Sequence, residues 1–289
     1  MRYRRVSRSF VALHPRPIGV ITFYGGQFFG QLPTTAYAHF LESLFEAGYS
    51  LIVVPFQFGF RHDLIAEQLL VERDTLRERL PKLAELPQAW VGHSVGCKYL
   101  ALLEAFTDSA TGKFVLPGMS LASATRTGIL DEPSLLLAPD MSDTRDAVPF
   151  LPVVPRLLDQ FGLGVRPSRA ETQRLIEQDD LFGLTALISF DQDTIAGRAH
   201  DSPEVSDVAW FLQTLEARTS YPVLHRELAG DHLEPVGIRY GDMVYSLRSA
   251  SLIGSKSVPR AIEQTALEFL AELGRRRDRA PRSLKAQLA

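Results

Sequence analysis

The sequence predicts an α/β fold, a mostly parallel sheet covered by helices on both faces, and three observations predict it. Continuous apolar runs recur along the chain, at residues 18–24, 49–54, 134–139 and 185–190. Unbroken rather than alternating runs mark strands buried on both faces. Between them lie stretches with apolar residues at helical spacing, such as Tyr37, Phe40, Leu41, Leu44 and Phe45. Repeated strand–helix units with right-handed crossovers build a parallel sheet. The third observation is a strand that runs directly into the tight turn Gly92-His93-Ser94-Val95-Gly96 and out into a helical pattern.

Taken in order, residues 9–14 read as a short strand, and Pro17 separates them from a second strand at 18–24 that ends on Gly25-Gly26. Pro33 opens the first helix, where its missing N–H costs nothing, and Gly48 closes it as a C-terminal cap. A strand at 49–54 stops at Pro55, and a charged helix follows over 62–86. After Pro87 the strand at 89–91 enters the Gly-rich turn, with a helix continuing to Phe106. Strands at 134–139, 185–190 and 222–227 follow, and an amphipathic helix over 258–273 closes the fold. No internal repeat or interdomain linker appears, so residues 1–289 read as one domain. The Pro-rich section 140–180 reads either as a cap insertion or as an ordinary surface excursion. The run Arg275-Arg276-Arg277-Asp278-Arg279 opens a basic tail over 275–289. It would suit peripheral contact with an anionic membrane surface, and more simply it reads as a solvated, mobile terminus.

Composition narrows the function classes. With 45% apolar and 22% charged residues the chain is globular rather than disordered. A net charge of −3 gives no basic field for nucleic acid. The lone Cys97 excludes an internal disulfide framework and fits a reducing, cytoplasmic compartment. No signal-peptide pattern opens the sequence, and no apolar stretch approaches the length of a membrane span.

The chemistry concentrates in three places. A serine between glycines, after a strand and before a helix, is the nucleophile elbow of the α/β-hydrolase fold, and Ser94 is the predicted nucleophile. A hydroxyl needs a base, and of the seven histidines His232 alone sits on a loop just after the last strand, in Gly230-Asp231-His232. His93, inside the elbow, is better placed to line a pocket. In the chain order Ser, Asp, His, the acid belongs after strand 185–190. Asp193 is chosen there over Asp191, with Asp140 after the earlier strand as the outside candidate. The acid fixes the imidazole tautomer and stabilises imidazolium. Val95 N–H is expected to supply one oxyanion donor and Gly26 N–H the other, with Gln27 next in line. Phe28, Phe29, Phe56, Phe58 and Phe60 crowd the strand ends, as walls of an acyl pocket or as core. No cofactor or metal is expected: neither a G-x-G-x-x-G nor an H-E-x-x-H pattern occurs.

The strings Tyr24-Gly25-Gly26-Gln27-Phe28-Phe29-Gly30, Val91-Gly92-His93-Ser94-Val95-Gly96-Cys97-Lys98 and Gly230-Asp231-His232-Leu233-Glu234-Pro235 carry a family resemblance. Across residues 9–235 the chain resembles an uncharacterised hydrolase-like family, a domain of unknown function of cyanobacteria and plastids. The resemblance implies the α/β-hydrolase fold and a serine triad, and no particular substrate. Two functions are thus expected: hydrolysis of a small-molecule ester or thioester through an acyl-serine, or non-catalytic binding of an apolar ligand or partner chain by the same fold.

Overall fold

The computed structural model describes residues 1–57, 59–141, 164–178, 182–219, 221–247, 251–255 and 260–279. Its main body is a sheet in the order β1-β2-β4-β3-β5-β6-β7-β8. The strands are β1 (Arg4–Val6), β2 (Ser9–Ala12), β3 (Gly19–Tyr24), β4 (Tyr49–Val53), β5 (Gln88–His93), β6 (Ser134–Leu137), β7 (Thr185–Phe190) and β8 (Leu224–Leu228). From β4 to β8 all neighbours are parallel, while the β1–β2 hairpin joins the β4 edge antiparallel. Every residue of β3, β6 and β7 is buried. That two-sided burial is what their unbroken apolar runs encode.

The helices are α1 (Pro33–Ala36), α2 (Ala38–Glu46), α3 (His62–Arg79), α4 (Pro81–Ala84), α5 (Val95–Ala105), α6 (Arg169–Glu177), α7 (Asp207–Arg218) and α8 (Ala261–Arg279). Two expected single helices are broken. Pro81 cannot continue α3, because its ring blocks the preceding turn and it lacks an N–H, so it starts α4 instead. Tyr37 separates α1 from α2 with φ −107° and ψ 23°. The break is held from outside: Gly237 N–H donates to the Ala36 carbonyl and His39 N–H to the Gly237 carbonyl.

A second, antiparallel sheet of β9 (Ile238–Tyr240), β10 (Met243–Ser246) and β11 (Ser251–Ser255) follows the last long strand. The basic run is also corrected. Arg275 to Arg279 form the end of α8 rather than a free tail, since Arg275 and Arg276 pair with Glu272, and Arg276 also donates to the Pro222 carbonyl. Positive side chains at a helix C-terminus also oppose its dipole. Residues 280–289, most of the expected cap (142–163 and 179–180) and Phe58 lie outside the described residues. No helix among the described residues is long and apolar enough to cross a membrane.

Candidate active site

The parallel registers align the C-terminal ends of the strands, with Tyr24 beside Gly92, His93 beside Leu137 and Phe190 beside Leu228. The chain segments expected to carry function therefore leave the sheet along one edge, where open α/β sheets bind ligands.

At that edge β5 passes into α5 with no intervening loop. Ser94 is the helix N-cap, at φ 55° and ψ −127°. An L side chain enters that half of backbone space at a cost of about 1–3 kcal/mol. The neighbours enforce it. A Cβ on Gly96 would lie 2.4 Å from the Tyr24 carbonyl oxygen, and one on Gly92 would lie 2.9 Å from Cys97 N. Both glycines let backbone meet backbone where any side chain would push the elbow off the sheet.

Ser94 Oγ lies 2.8 Å from His232 Nε2, and His232 Nδ1 lies 2.9 Å from Asp193 Oδ2. The other carboxylate oxygen, Oδ1, accepts from the N–H groups of Ile195 and Ala196 at 2.8 and 3.0 Å. A carboxylate only accepts, so His232 donates from Nδ1 and its Nε2 lone pair faces the serine hydroxyl. All three side chains are buried, Asp193 most deeply at 1% exposure. The three residues chosen from sequence thus come together, drawn from positions 94, 193 and 232.

The other two acids take different places. Asp191 Oδ1 accepts from Gly230 N–H at 2.9 Å, and Gln192 N–H donates to the Gly230 carbonyl. Asp191 therefore pins the loop that carries His232 without touching its ring. Asp140 stands behind the elbow, its N–H 3.4 Å from the Ser94 carbonyl.

Two expectations need correction. Gly26 N–H donates to the Tyr37 hydroxyl at 2.7 Å, so this donor is engaged inside the fold and does not face a substrate oxygen. His93 lines no pocket: it is 1% exposed, with Nδ1 2.7 Å from Tyr37 Oη and Nε2 2.9 Å from the His232 carbonyl oxygen. Burial holds its imidazole well below the usual histidine pKa, and the nearby His232 adds to the effect. Val95 is the first residue of α5, among the N–H groups for which a helix offers no internal acceptor. Of the aromatics, Phe56 is core, stacked edge-on against Tyr99 beneath Gly30, while Phe28 is 63% exposed.

Lys98, from the elbow's own helix, was missed as a site element because a buried lysine has no sequence signal. Its Nζ donates to the carbonyls of Met141 and Pro167 at 3.0 and 2.8 Å. Asp207 completes the tie, accepting from Met141 N–H and from Arg169 Nε. A cavity of about 390 Å³ lies beyond this tie, lined by residues including Phe106, Arg166 and Leu175 and by none of the Ser94 set. Among the described residues no three His, Cys, Asp or Glu side chains gather as metal ligands would.

Elbow, sheet order and the placing of His232 define the α/β-hydrolase fold, and solved structures agree. An inhibited esterase B from Lactobacillus rhamnosis superposes with a TM-score of 0.58 at 14% identity, over 94% of this chain and 84% of that one. Thermogutta terrifontis esterase 2, phosphoramylated by tabun, gives 0.54 at 14% identity over 92% and 89%. A fungal esterase from Rhizomucor miehei gives 0.52 at 13% over 100% and 84%. At these identities the likeness is one of fold. The chain belongs to the family described as "protein of unknown function (DUF1350)", whose model matches residues 2–246. No curated protein matches it in sequence.

Proposed function

We propose that the protein is a serine hydrolase that cleaves a carboxylic ester or thioester of a small molecule through an acyl-Ser94 intermediate. The observation that carries this reading is the buried hydrogen-bond series from Ser94 Oγ through His232 to Asp193. Ser94 Oγ attacks the carbonyl carbon while its proton passes to His232 Nε2. The resulting imidazolium is stabilised by the Asp193 carboxylate, which stays ionised. Collapse of the tetrahedral intermediate expels the alcohol or thiol, which takes the proton back from Nε2. Water then repeats the sequence on the acyl-enzyme and releases the acid.

The developing oxyanion needs preorganised donors. Val95 N–H is one, backed by the positive end of the α5 dipole. For the second we place Gln27 N–H where Gly26 was expected. The Gly26 carbonyl accepts from Gly30 N–H at 2.6 Å. In a trans peptide the following N–H points opposite to that carbonyl, so Gln27 N–H is aimed away from Gly30. We place the reaction in the cytoplasm, as the single cysteine suggests.

A fluorophosphonate probe tests the reading. It should label the wild-type protein and leave Ser94→Ala unlabelled. A wild type that resists the probe, and turns over no p-nitrophenyl or thioester substrate, would instead favour a non-catalytic binding protein.

A further inference from the structure

Tyr37 and His93 lie outside the Ser94–His232–Asp193 set, yet both are buried and carry hydrogen bonds toward it. Their protons can be assigned. The His232 carbonyl oxygen can only accept, so His93 donates to it from Nε2 and carries a bare lone pair on Nδ1. The Tyr37 phenol therefore donates to Nδ1 while accepting from Gly26 N–H. Three bonds run head to tail in one direction, from the loop after β3 to the backbone of His232. Bonds so arranged polarise one another in a low-dielectric interior.

We propose that Tyr37 and His93 are positioning residues of the Ser94 chemistry, a buried relay that fixes the oxyanion loop and the His232 backbone against the elbow. The inference rests on the reading of Ser94 as nucleophile. His232 rides on a loop, and its ring must hold Nε2 within 2.8 Å of Ser94 Oγ. A tether on its own carbonyl fixes the pivot from which the ring projects. At the far end the relay sets the Gly26 peptide, next to the Gln27 donor. The packing leaves no slack: a Cβ on Gly26 would lie 3.2 Å from His93 Nδ1 and 3.3 Å from both Ser94 Cβ and Tyr37 Oη. A second tie joins the same parts, because Gly237, just past the His232 loop, bonds Ala36 and His39 on either side of Tyr37. Burial keeps His93 neutral, with its one N–H on Nε2 and its Nδ1 lone pair occupied by Tyr37, and raises the Tyr37 hydroxyl so that it keeps its proton.

Tyr37→Phe tests the relay, since it removes one oxygen and leaves the ring against Phe23 and His93. His93→Leu removes both bonding atoms, whereas His93→Gln restores one donor and one acceptor. Tyr37→Phe should lower kcat on a p-nitrophenyl ester by about 10- to 100-fold, the scale of a small misplacement of reacting groups, with KM within about twofold. The rate of fluorophosphonate labelling at Ser94 should fall by the same factor. His93→Leu should lose at least as much, and His93→Gln should recover most of that loss. Circular dichroism would verify that each variant is folded, and if Tyr37→Phe does not fold, the two His93 variants carry the test.

Folded Tyr37→Phe or His93→Leu with kcat within twofold of wild type overturns the proposal. So does a loss in His93→Leu that His93→Gln does not recover. In both cases a wild type labelled at Ser94 leaves the nucleophile standing. A wild type that the probe never labels overturns the nucleophile and the relay together.

Discussion

Replacing Asp193 by Asn changes one atom, and the structure dictates which way the new amide turns. In the wild type Oδ1 accepts from the N–H groups of Ile195 and Ala196, while Oδ2 accepts from His232 Nδ1. An asparagine has a single oxygen for these three donors. Turned toward the two backbone N–H groups, it presents its NH2 to His232 and demands a bare Nδ1. The ring must then carry its proton on Nε2, where it points at Ser94 and cannot receive the serine proton. Turned the other way, the amide keeps the useful tautomer but leaves the buried Ala196 N–H and the part-buried Ile195 N–H without an acceptor. The buried one costs about 1–3 kcal/mol and the other up to as much again, so the productive arrangement lies roughly 1–6 kcal/mol above the unproductive one. That gap corresponds to a kcat loss of about 5-fold to 3 × 10⁴-fold. Steady-state hydrolysis of a p-nitrophenyl ester by the folded variant measures it directly. Activity within about threefold of wild type would refute both the role of Asp193 and the tautomer argument.

Ser94→Gly should be inactive and yet more stable, because glycine relieves the strained φ 55°, ψ −127° conformation at the cost of a more flexible unfolded chain. Thermal melts should show a midpoint a few degrees higher, and a lower midpoint would argue against stored strain. Asp191→Asn keeps an oxygen for Gly230 N–H and should retain most activity, whereas Asp191→Ala should reduce kcat by about tenfold as the His232 loop loosens; equal activities would remove Asp191 from that task. Asp207 gives a pH dependence. Burial, with Asp140 nearby and against the opposing pull of Arg169, pushes its carboxyl up to about 6. A carboxyl raised on folding favours the native state below its unfolded value near pH 4, and that contribution is lost as pH rises to about 6. Urea titrations at pH 4.5 and 7 should show wild type losing stability relative to Asp207→Asn across this interval; parallel curves would contradict the shift.

The parts of the site legible in the sequence are those whose chemistry is local. The elbow is legible because the close approach of Gly96 to Tyr24 leaves room for nothing but glycine, and because Ser94 sits between a strand and a helix. His232 and Asp193 are legible because parallel strands deliver their following loops to one edge. The relay is not local. Tyr37 looks like one more apolar position on a helical stripe, and its partner His93 lies 56 positions away in the chain. Only the break between α1 and α2 aims the phenol at the elbow, and a backbone contact from Gly237 holds that break. The same cause hid the engagement of the Gly26 N–H, which is taken up by a hydroxyl from elsewhere in the chain. The three-stranded sheet escaped notice because β9 and β10 have only three and four residues and are partly exposed, too short for a period to declare itself. In α8 the arginines read as a tail because their partners Glu272 and the Pro222 carbonyl appear only once the helix is formed.

Lys98 has a consequence for how this chain can change. Its ammonium gathers the carbonyls of Met141 and Pro167, and Asp207 gathers Met141 and Arg169, so positions 141 and 167 are fastened to each other. Once two ends of a segment are fixed together, doubling the length between them costs only about 0.6 kcal/mol of closure entropy. Positions 141 and 167 would therefore stay fastened beside α5 over a wide range of lengths of the stretch between them. A single buried cation, one turn beyond Ser94, thus ties the elbow's own helix to both ends of that stretch.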